Sequence, residues 1–323
     1  MSSRWAIRRS SGLVSVLAAA AVVLSACGSG DYAATPLPTP QPTPSTTATT
    51  SGPAAPTTCT PSAVTSYAPL PTLDTAAVPP SIVARQSLRV GVSADSLLLG
   101  ARNPLTNAIE GFDIDMAKAV AKAALGDENK IQLVVIQSAD RIPDLQNRTV
   151  DMVARNMSMT CDRWNTIAFS AEYFQSGLKI LVPRNSKVVS LDELKGKRVC
   201  APNGTTTIDF IRSKGVEAVG AKTHTACLVL FQQGKVDAIA GDDTVLAGLV
   251  AQDPYAFVPK MSALTSEPYG LAFNKDDKDF VRFTNTLLDQ MKADGRWKAI
   301  YDKWFAGPLG AAPPPPASVY GRT

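Results

Sequence analysis

The chain has 323 residues, about twice the usual length of one domain, with 32 Lys and Arg against 28 Asp and Glu, a formal charge of +4. That balance excludes the strong basic excess of a polyanion binder such as a nucleic-acid protein, and the single histidine, His224, argues against a His-rich metal site or a His general base. Proline is in excess at 24 residues, about 7% against an average near 5%, and five cysteines are an odd number, too few for a small disulfide scaffold.

At the amino terminus Arg4, Arg8 and Arg9 form a positive region, followed by an apolar run over residues 13–24 and then Ser25-Ala26-Cys27. The run is short for a membrane span and is flanked as a secretory signal is. Arg8-Arg9 lacks the apolar residues that a twin-arginine signal carries next, so general secretion is expected. Leu24-Ser25-Ala26-Cys27, followed by Gly28, resembles a bacterial lipobox; the resemblance implies cleavage before Cys27 and lipidation of its sulfur. Removing residues 1–26 as the signal peptide leaves 29 basic against 28 acidic residues, a charge of +1. Residues 27–81 are rich in Pro, Thr, Ser and Ala; a run such as Thr39-Pro40-Gln41-Pro42-Thr43-Pro44 cannot bury enough surface to offset its ordering entropy and reads as an extended tether. A second proline block, residues 313–316, makes residues 307–323 a Pro-rich tail and confines the expected fold to about 81–306.

Within that span short apolar runs recur at residues 88–92, 131–136, 151–154, 178–182, 198–200, 236–240 and 269–273. Their length and near-continuous apolar character suit strands buried on both faces. Helical patterns lie between them. Ile114, Ala117, Ala121 and Leu125 share one face, with Gly126 as the stop; Phe280, Phe283, Leu287 and Met291 mark a later helix ended by Gly295, and Trp297, Ile300, Tyr301 and Trp304 mark another. The alternation predicts an α/β fold with parallel sheets covered on both faces.

Several ordered blocks carry a resemblance: Gly111-Phe112-Asp113-Ile114-Asp115, Arg141-Ile142-Pro143-Asp144-Leu145-Gln146, Thr160-Cys161-Asp162-Arg163 with Phe169-Ser170, Leu194-Lys195-Gly196-Lys197, Asn203-Gly204-Thr205-Thr206, Val236-Asp237-Ala238 with Asp242, and Lys303-Trp304-Phe305. Together they resemble family 3 of the bacterial extracellular solute-binding proteins, the polar-amino-acid-binding lipoproteins of ABC importers, over about residues 85–305. The resemblance implies two Rossmann-like lobes joined by a two-segment hinge, the type II periplasmic-binding fold. Lobe 1 is then residues 82–174 and 269–306 and lobe 2 residues 175–268, with crossings near 173–177 and 266–270. It also implies a non-enzymatic, monomeric receptor without cofactor or metal. Such a receptor is anchored to the extracytoplasmic face and hands a free amino acid to a permease. A membrane sensor partner and a cyclohexadienyl dehydratase-like enzyme are the alternatives.

By the same resemblance Arg163 is the ligand-carboxylate residue, a planar fork suited to both oxygens. Thr205 and Thr206 open a lobe-2 helix whose backbone amides meet that carboxylate, Ser158 and Asn156 line lobe 1, and Asp242 or Asp243 is the counter-charge for the ammonium. Arg155 ends a strand where a small residue is usual in glutamine binders. A guanidinium there would neutralise a second ligand carboxylate, favouring glutamate or aspartate over glutamine or asparagine. Asp95 is the candidate for the acid that follows the first strand, while Leu97-Leu98-Leu99 replaces the expected aromatic. The four cysteines other than Cys27 predict two disulfides in an exported protein; of three connectivities, Cys200–Cys227 within lobe 2 and Cys59–Cys161, pinning the tether beside the site, are expected.

Overall fold

A computed structural model describes residues 59–323; the signal, Cys27 and most of the tether lie outside them. The described chain opens with β1 (Thr65–Tyr67), α1 (Pro80–Arg85) and β2 (Leu88–Val92). A small antiparallel sheet follows, made of β3 (Asp95–Ser96), β4 (Gly100–Arg102) and β5 (Ile109–Glu110). Then come α2 (Phe112–Leu125), β6 (Ile131–Val135), α3 (Arg141–Gln146), β7 (Met152–Val153), α4 (Cys161–Trp164) and β8 (Ile167–Phe169). The ten-residue strand β9 (Phe174–Pro183) carries the chain into the second lobe. That lobe contains β10 (Arg198–Pro202), α5 (Thr206–Arg212), β11 (Glu217–Ala221), α6 (His224–Gln232), β12 (Ala238–Asp242), α7 (Asp243–Gln252) and β13 (Ala256–Phe257). The chain returns through β14 (Ser266–Tyr269) to β15 (Ala272–Asn274), α8 (Lys278–Ala293), α9 (Arg296–Trp304), α10 (Ala306–Leu309) and β16 (Val319–Arg322).

The first lobe is built on a sheet of order β6-β2-β7-β15-β8 and the second on β11-β10-β12-β9-β13, with β14 paired to β9. In both, the first-formed strands are parallel, β2 with β6 and β7, and β10 with β11 and β12. The expectation of purely parallel sheets needs correction. β15 is antiparallel to β7 and β8, and β9 to β12, because the two crossing segments enter each sheet from the other lobe, without the helical crossover that parallel pairing requires. The apolar run at 269–273 is likewise two strands, broken after Tyr269, because β14 belongs to the crossing and β15 to the first-lobe sheet.

The packed region extends past both expected ends. Residues 59–80 and 311–323, read as tether and tail, lie against the first lobe. β1 pairs in parallel with β16, Tyr67 and Val78 are buried, and Leu70, Leu73 and Ala312 pack on the same core. Polar composition hid this because the few large residues of each end are spaced widely and bury only when the two ends meet each other. Side chains of α8 fix the amino-terminal piece: Asn285 Nδ2 donates to Tyr67 O at 2.8 Å and Ser66 Oγ at 2.9 Å. The Arg322 guanidinium lies 3.8 Å from the centre of the Trp164 ring and donates from Nε to Thr65 O at 3.0 Å. Among the described residues no helix is long and apolar enough to cross a membrane.

Removing residues 311–323 is therefore expected to destabilise the protein. Loss of one cation–π contact and several hydrogen bonds amounts to about 2–3 kcal/mol, a fall in Tm of about 4–12 °C by calorimetry. An unchanged Tm would mean that β16 contributes nothing.

Candidate functional site

The parallel strands of the two sheets end facing one another, and the residues just beyond their carboxyl ends form a cleft, the usual ligand position of open α/β sheets. From the first lobe come Ser93 and Asp95 after β2, Ser138 and Arg141 after β6, and Arg155, Asn156 and Ser158 after β7. From the second come Gly204 to Thr206 after β10, His224 after β11, and Asp242 at the end of β12. The lobes touch across it: Arg141 Nη2 donates to Gly204 O at 3.0 Å, and Thr225 Oγ1 to Asp95 O at 2.9 Å.

Arg163 is placed by the short helix α4. Thr160 caps that helix, its Oγ1 accepting from Arg163 N at 3.2 Å. Cys161 is bonded to Cys59, and Trp164 Nε1 donates to Ala63 O at 2.7 Å, so the amino-terminal segment clamps the helix from behind. The guanidinium turns inward, and Nη1 donates to Ser158 O at 2.6 Å. The 157–159 segment is itself pinned to the returning strand, with Met159 N donating to Pro268 O at 2.7 Å and Gly270 N to Met157 O at 3.1 Å. Asn156, at φ 35°, donates its N–H to Asp113 Oδ2 at 2.8 Å, while Tyr173 donates its hydroxyl to Oδ1 of the same carboxyl at 2.7 Å. Asp113, from the Gly-Phe-Asp block that opens α2, thus fixes the ligand-facing loop; burial pushes its carboxyl up to about 6.

Asp242 is buried at the carboxyl end of β12. Tyr269 donates its hydroxyl to Oδ2 at 2.6 Å, and Oδ1 is buried without a partner among the described residues. Burial, and next the charge of Glu267, push this carboxyl up to about 7. Glu267, buried on β14, accepts from Thr206 Oγ1 at 3.1 Å and Thr265 Oγ1 at 2.6 Å. A carboxylate left open in a dry site is a receptor for a cation.

Two further arginines, Arg155 and Arg141, are buried beyond the strand ends of the first lobe. Arg155, 4% exposed, donates from Nε to Ile136 O at 3.0 Å and from Nη1 to Ser138 Oγ at 2.6 Å. Arg141, 3% exposed, spends its guanidinium on carbonyls, donating to Ser138 O, Arg155 O and Gly204 O at 2.8, 3.2 and 3.0 Å. Among the described residues neither of them, nor Arg163, has a carboxylate within 4.0 Å. His224 packs on β12 so closely that a Cβ at Gly241 would lie 2.8 Å from its Nε2, which has no partner among the described residues. Burial, and next the Arg155 charge, push His224 down to about 4.

The structure therefore brings Arg163, Ser158, Asn156, Arg155, Thr206 and Asp242 to one cleft, with Asp95 at its rim, its Oδ1 accepting from Ser93 Oγ at 2.9 Å. Two candidates do not present their side chains there. Asp243 turns to the hinge, accepting from Ser176 Oγ at 2.7 Å with Lys179 Nζ at 3.6 Å, because it starts α7 one residue past the strand end. Thr205 caps α5, its Oγ1 accepting from Ile208 N at 3.2 Å and donating to Pro202 O at 2.7 Å. Arg141, Glu267, Asp113 and His224 were missed as site residues. The Arg-Ile-Pro block that opens α3 and the acid before Pro268-Tyr269 were the signals that could have found the first two.

Residues 88–307 match the bacterial extracellular solute-binding proteins, family 3. The chain belongs to that family. It is 38% identical over 219 residues to the ABC transporter glutamine-binding protein GlnH of Bacillus subtilis, covering 67% of this chain and 80% of that one. It is 30% identical over 227 residues to the glutamate-binding protein GluB of Corynebacterium glutamicum, covering 66% and 77%. A solved structure of the L-cysteine solute receptor of Neisseria gonorrhoeae superposes with a TM-score of 0.68 at 25% identity, covering 71% of this chain and 94% of that one. The chain has the type II periplasmic-binding architecture of its solved structural neighbours.

The raised Asp242 carboxyl has a consequence for stability. Its value in the fold, about 7, exceeds its ordinary value of 3.8, so its contribution is complete below about pH 4 and is lost as pH rises through 7. Asp242→Asn is expected to have a higher Tm than the wild type at pH 8 and to converge with it below pH 4. His224, depressed to about 4, acts in the opposite sense between pH 4 and 6.5, but it is common to both proteins and cancels in the difference. A variant no more stable than wild type at pH 8 would show that the buried carboxylate costs nothing.

Proposed function

We propose that this chain is an extracytoplasmic receptor for an acidic amino acid, glutamate or aspartate, which it hands to an ABC importer as the lobes close. The observation that carries this reading is the charge layout of the cleft. Three buried or half-buried guanidiniums, Arg141, Arg155 and Arg163, have no ion-pair partner within 4.0 Å among the described residues, while Asp242 presents an open Oδ1. An α-amino acid offers a carboxylate for Arg163 and the α5 amides and an ammonium for Asp242. A second carboxylate on its side chain would meet Arg155, with Arg141 and His224 behind it. Glutamine would satisfy the first two contacts but leave the Arg155 charge uncompensated, which costs more in a dry cleft than in water. The name of the Bacillus relative points to glutamine and that of the Corynebacterium relative to glutamate; Arg155 favours the second.

Calorimetry with the twenty amino acids checks this. Glutamate or aspartate should bind most tightly. Arg163→Ala should weaken binding about 10–100-fold, as loss of a charged hydrogen-bond pair implies. Arg155→Ala should narrow the glutamate-over-glutamine preference by about tenfold or more. Glutamine bound far more tightly than glutamate by the wild type would overturn the acidic specificity, though not the receptor role.

The signal-like amino terminus and Cys27 support a lipid anchor, with the Pro/Thr-rich segment as its spacer. One acyl chain holds a protein to a membrane only marginally, whereas two anchor it stably. Labelling with radioactive palmitate should mark the wild type in the membrane fraction, and Cys27→Ala should remove the label. An unlabelled wild type would exclude lipidation.

A further inference from the structure

A chain of hydroxyl groups lies behind Asp242, outside the cleft. Tyr269, fully buried on β14, donates to Asp242 Oδ2 at 2.6 Å, and its oxygen is 3.0 Å from Thr244 Oγ1 at the start of α7. Thr244 Oγ1 is in turn 3.5 Å from Ser176 Oγ on β9, and Ser176 donates to Asp243 Oδ1 at 2.7 Å. Asp243 and Lys179 then face a surface cavity of about 540 Å³ behind the hinge, lined also by Gln175, Ala263 and Thr265. Thr244 donates to Tyr269 and Ser176 to Asp243, so the 3.5 Å approach of those two hydroxyls carries no proton, and each end of the row is held separately. A tyrosine hydroxyl has one proton; given to Asp242, it leaves the oxygen as acceptor for Thr244.

We propose that Tyr269 is the positioning residue for ammonium capture: held by Thr244, its hydroxyl occupies Asp242 Oδ2 and so presents Oδ1 to the ligand. This rests on the amino-acid receptor reading above and assigns the group that orients its counter-charge. The carboxylate torsion would otherwise be free to turn either oxygen toward the cleft. The hydrogen bond also favours the ionised form that an ammonium requires, opposing burial and the neighbouring acids. The charged and titratable groups facing Asp242 are Glu267 and Tyr269 from β14, Asp243 from α7, Arg141 from α3 and Arg163 from α4. Burial, Glu267 and Asp243 disfavour the carboxylate, while Tyr269 and Arg141 favour it.

The test compares full-length wild type, Tyr269→Phe and Thr244→Val. L-glutamate affinity is measured by calorimetry from pH 5 to 8.5, and the carboxyl ¹³C shift of Asp242 is titrated without ligand, assigned with Asp242→Asn. Tyr269→Phe should weaken glutamate about 10–100-fold at pH 7.5, with a loss that grows toward pH 5. Its Asp242 resonance should titrate at higher pH than in the wild type. Thr244→Val, which keeps volume and the phenol, should move both readouts in the same direction by less, and it serves if Tyr269→Phe fails to fold. A uniform loss of affinity at every pH, or an unmoved Asp242 titration, would reduce Tyr269 to a packing residue and overturn the proposal. A wild type that binds none of the twenty amino acids would instead remove the receptor reading, whatever the titration shows.

Discussion

Both passages of the chain between the lobes run through one antiparallel pair, β9 with β14, in the register Ser266 to Gly177 and Tyr269 to Phe174. Any change in the angle between the lobes must be absorbed there, and the pair also supplies the wall of the cleft. Side chains two apart on a strand share a face. Glu267 and Tyr269 therefore point together toward Asp242, while Pro268 between them offers its carbonyl to Met159. Gly177 allows the loop after the second lobe to lie against the pair; a Cβ there would come within 2.5 Å of Ala263 Cβ. The hinge is thus also the platform that fixes both the 157–159 segment and the ammonium end of the site.

The cleft gathers several buried charged groups. Of the polar groups in it, Asp113 is fully committed, to Tyr173 and to Asn156 N, and it supports the loop without facing a ligand. Arg141 is committed to carbonyls and joins the lobes through Gly204. What remains open is Asp242 Oδ1 and part of the guanidiniums of Arg163 and Arg155. The two disulfides sit behind this arrangement: Cys59–Cys161 secures the helix of Arg163, and Cys200–Cys227 joins β10 to α6, the elements before and beside the Thr206 loop and His224.

Elements whose burial is decided locally were legible in the sequence. The apolar runs at 88–92 and 131–136 became paired parallel strands, and the spacing of Phe280, Phe283, Leu287 and Met291 became the buried face of α8. Features decided by distant partners were not. Tyr67, Leu70 and Leu73 lie in a polar, proline-rich setting, and only a strand 250 residues later and the side of α8 bury them. In the site, Arg163 and Asp242 were readable because each ends an ordered block of characteristic residues. Asp243 differs from Asp242 by one position, yet the change from strand to helix turns it to the opposite side of the hinge. Glu267 could not be weighed without knowing that β14 lies beside Asp242, since an acid before Pro-Tyr is equally at home on a surface turn.

Closure and binding are linked through the same unpaired charges. In a closed cleft the guanidiniums and Asp242 lose water without gaining counter-ions, so closure alone is opposed. On the receptor reading proposed above, a ligand that supplies two carboxylates and an ammonium would remove most of that opposition, and the closed population would rise in proportion to its differential affinity for that form. His224 belongs to the same cleft, where burial, and next the charge of Arg155, push it down to about 4. It sits against β12, whose Gly241 makes room for it and whose next residue is Asp242.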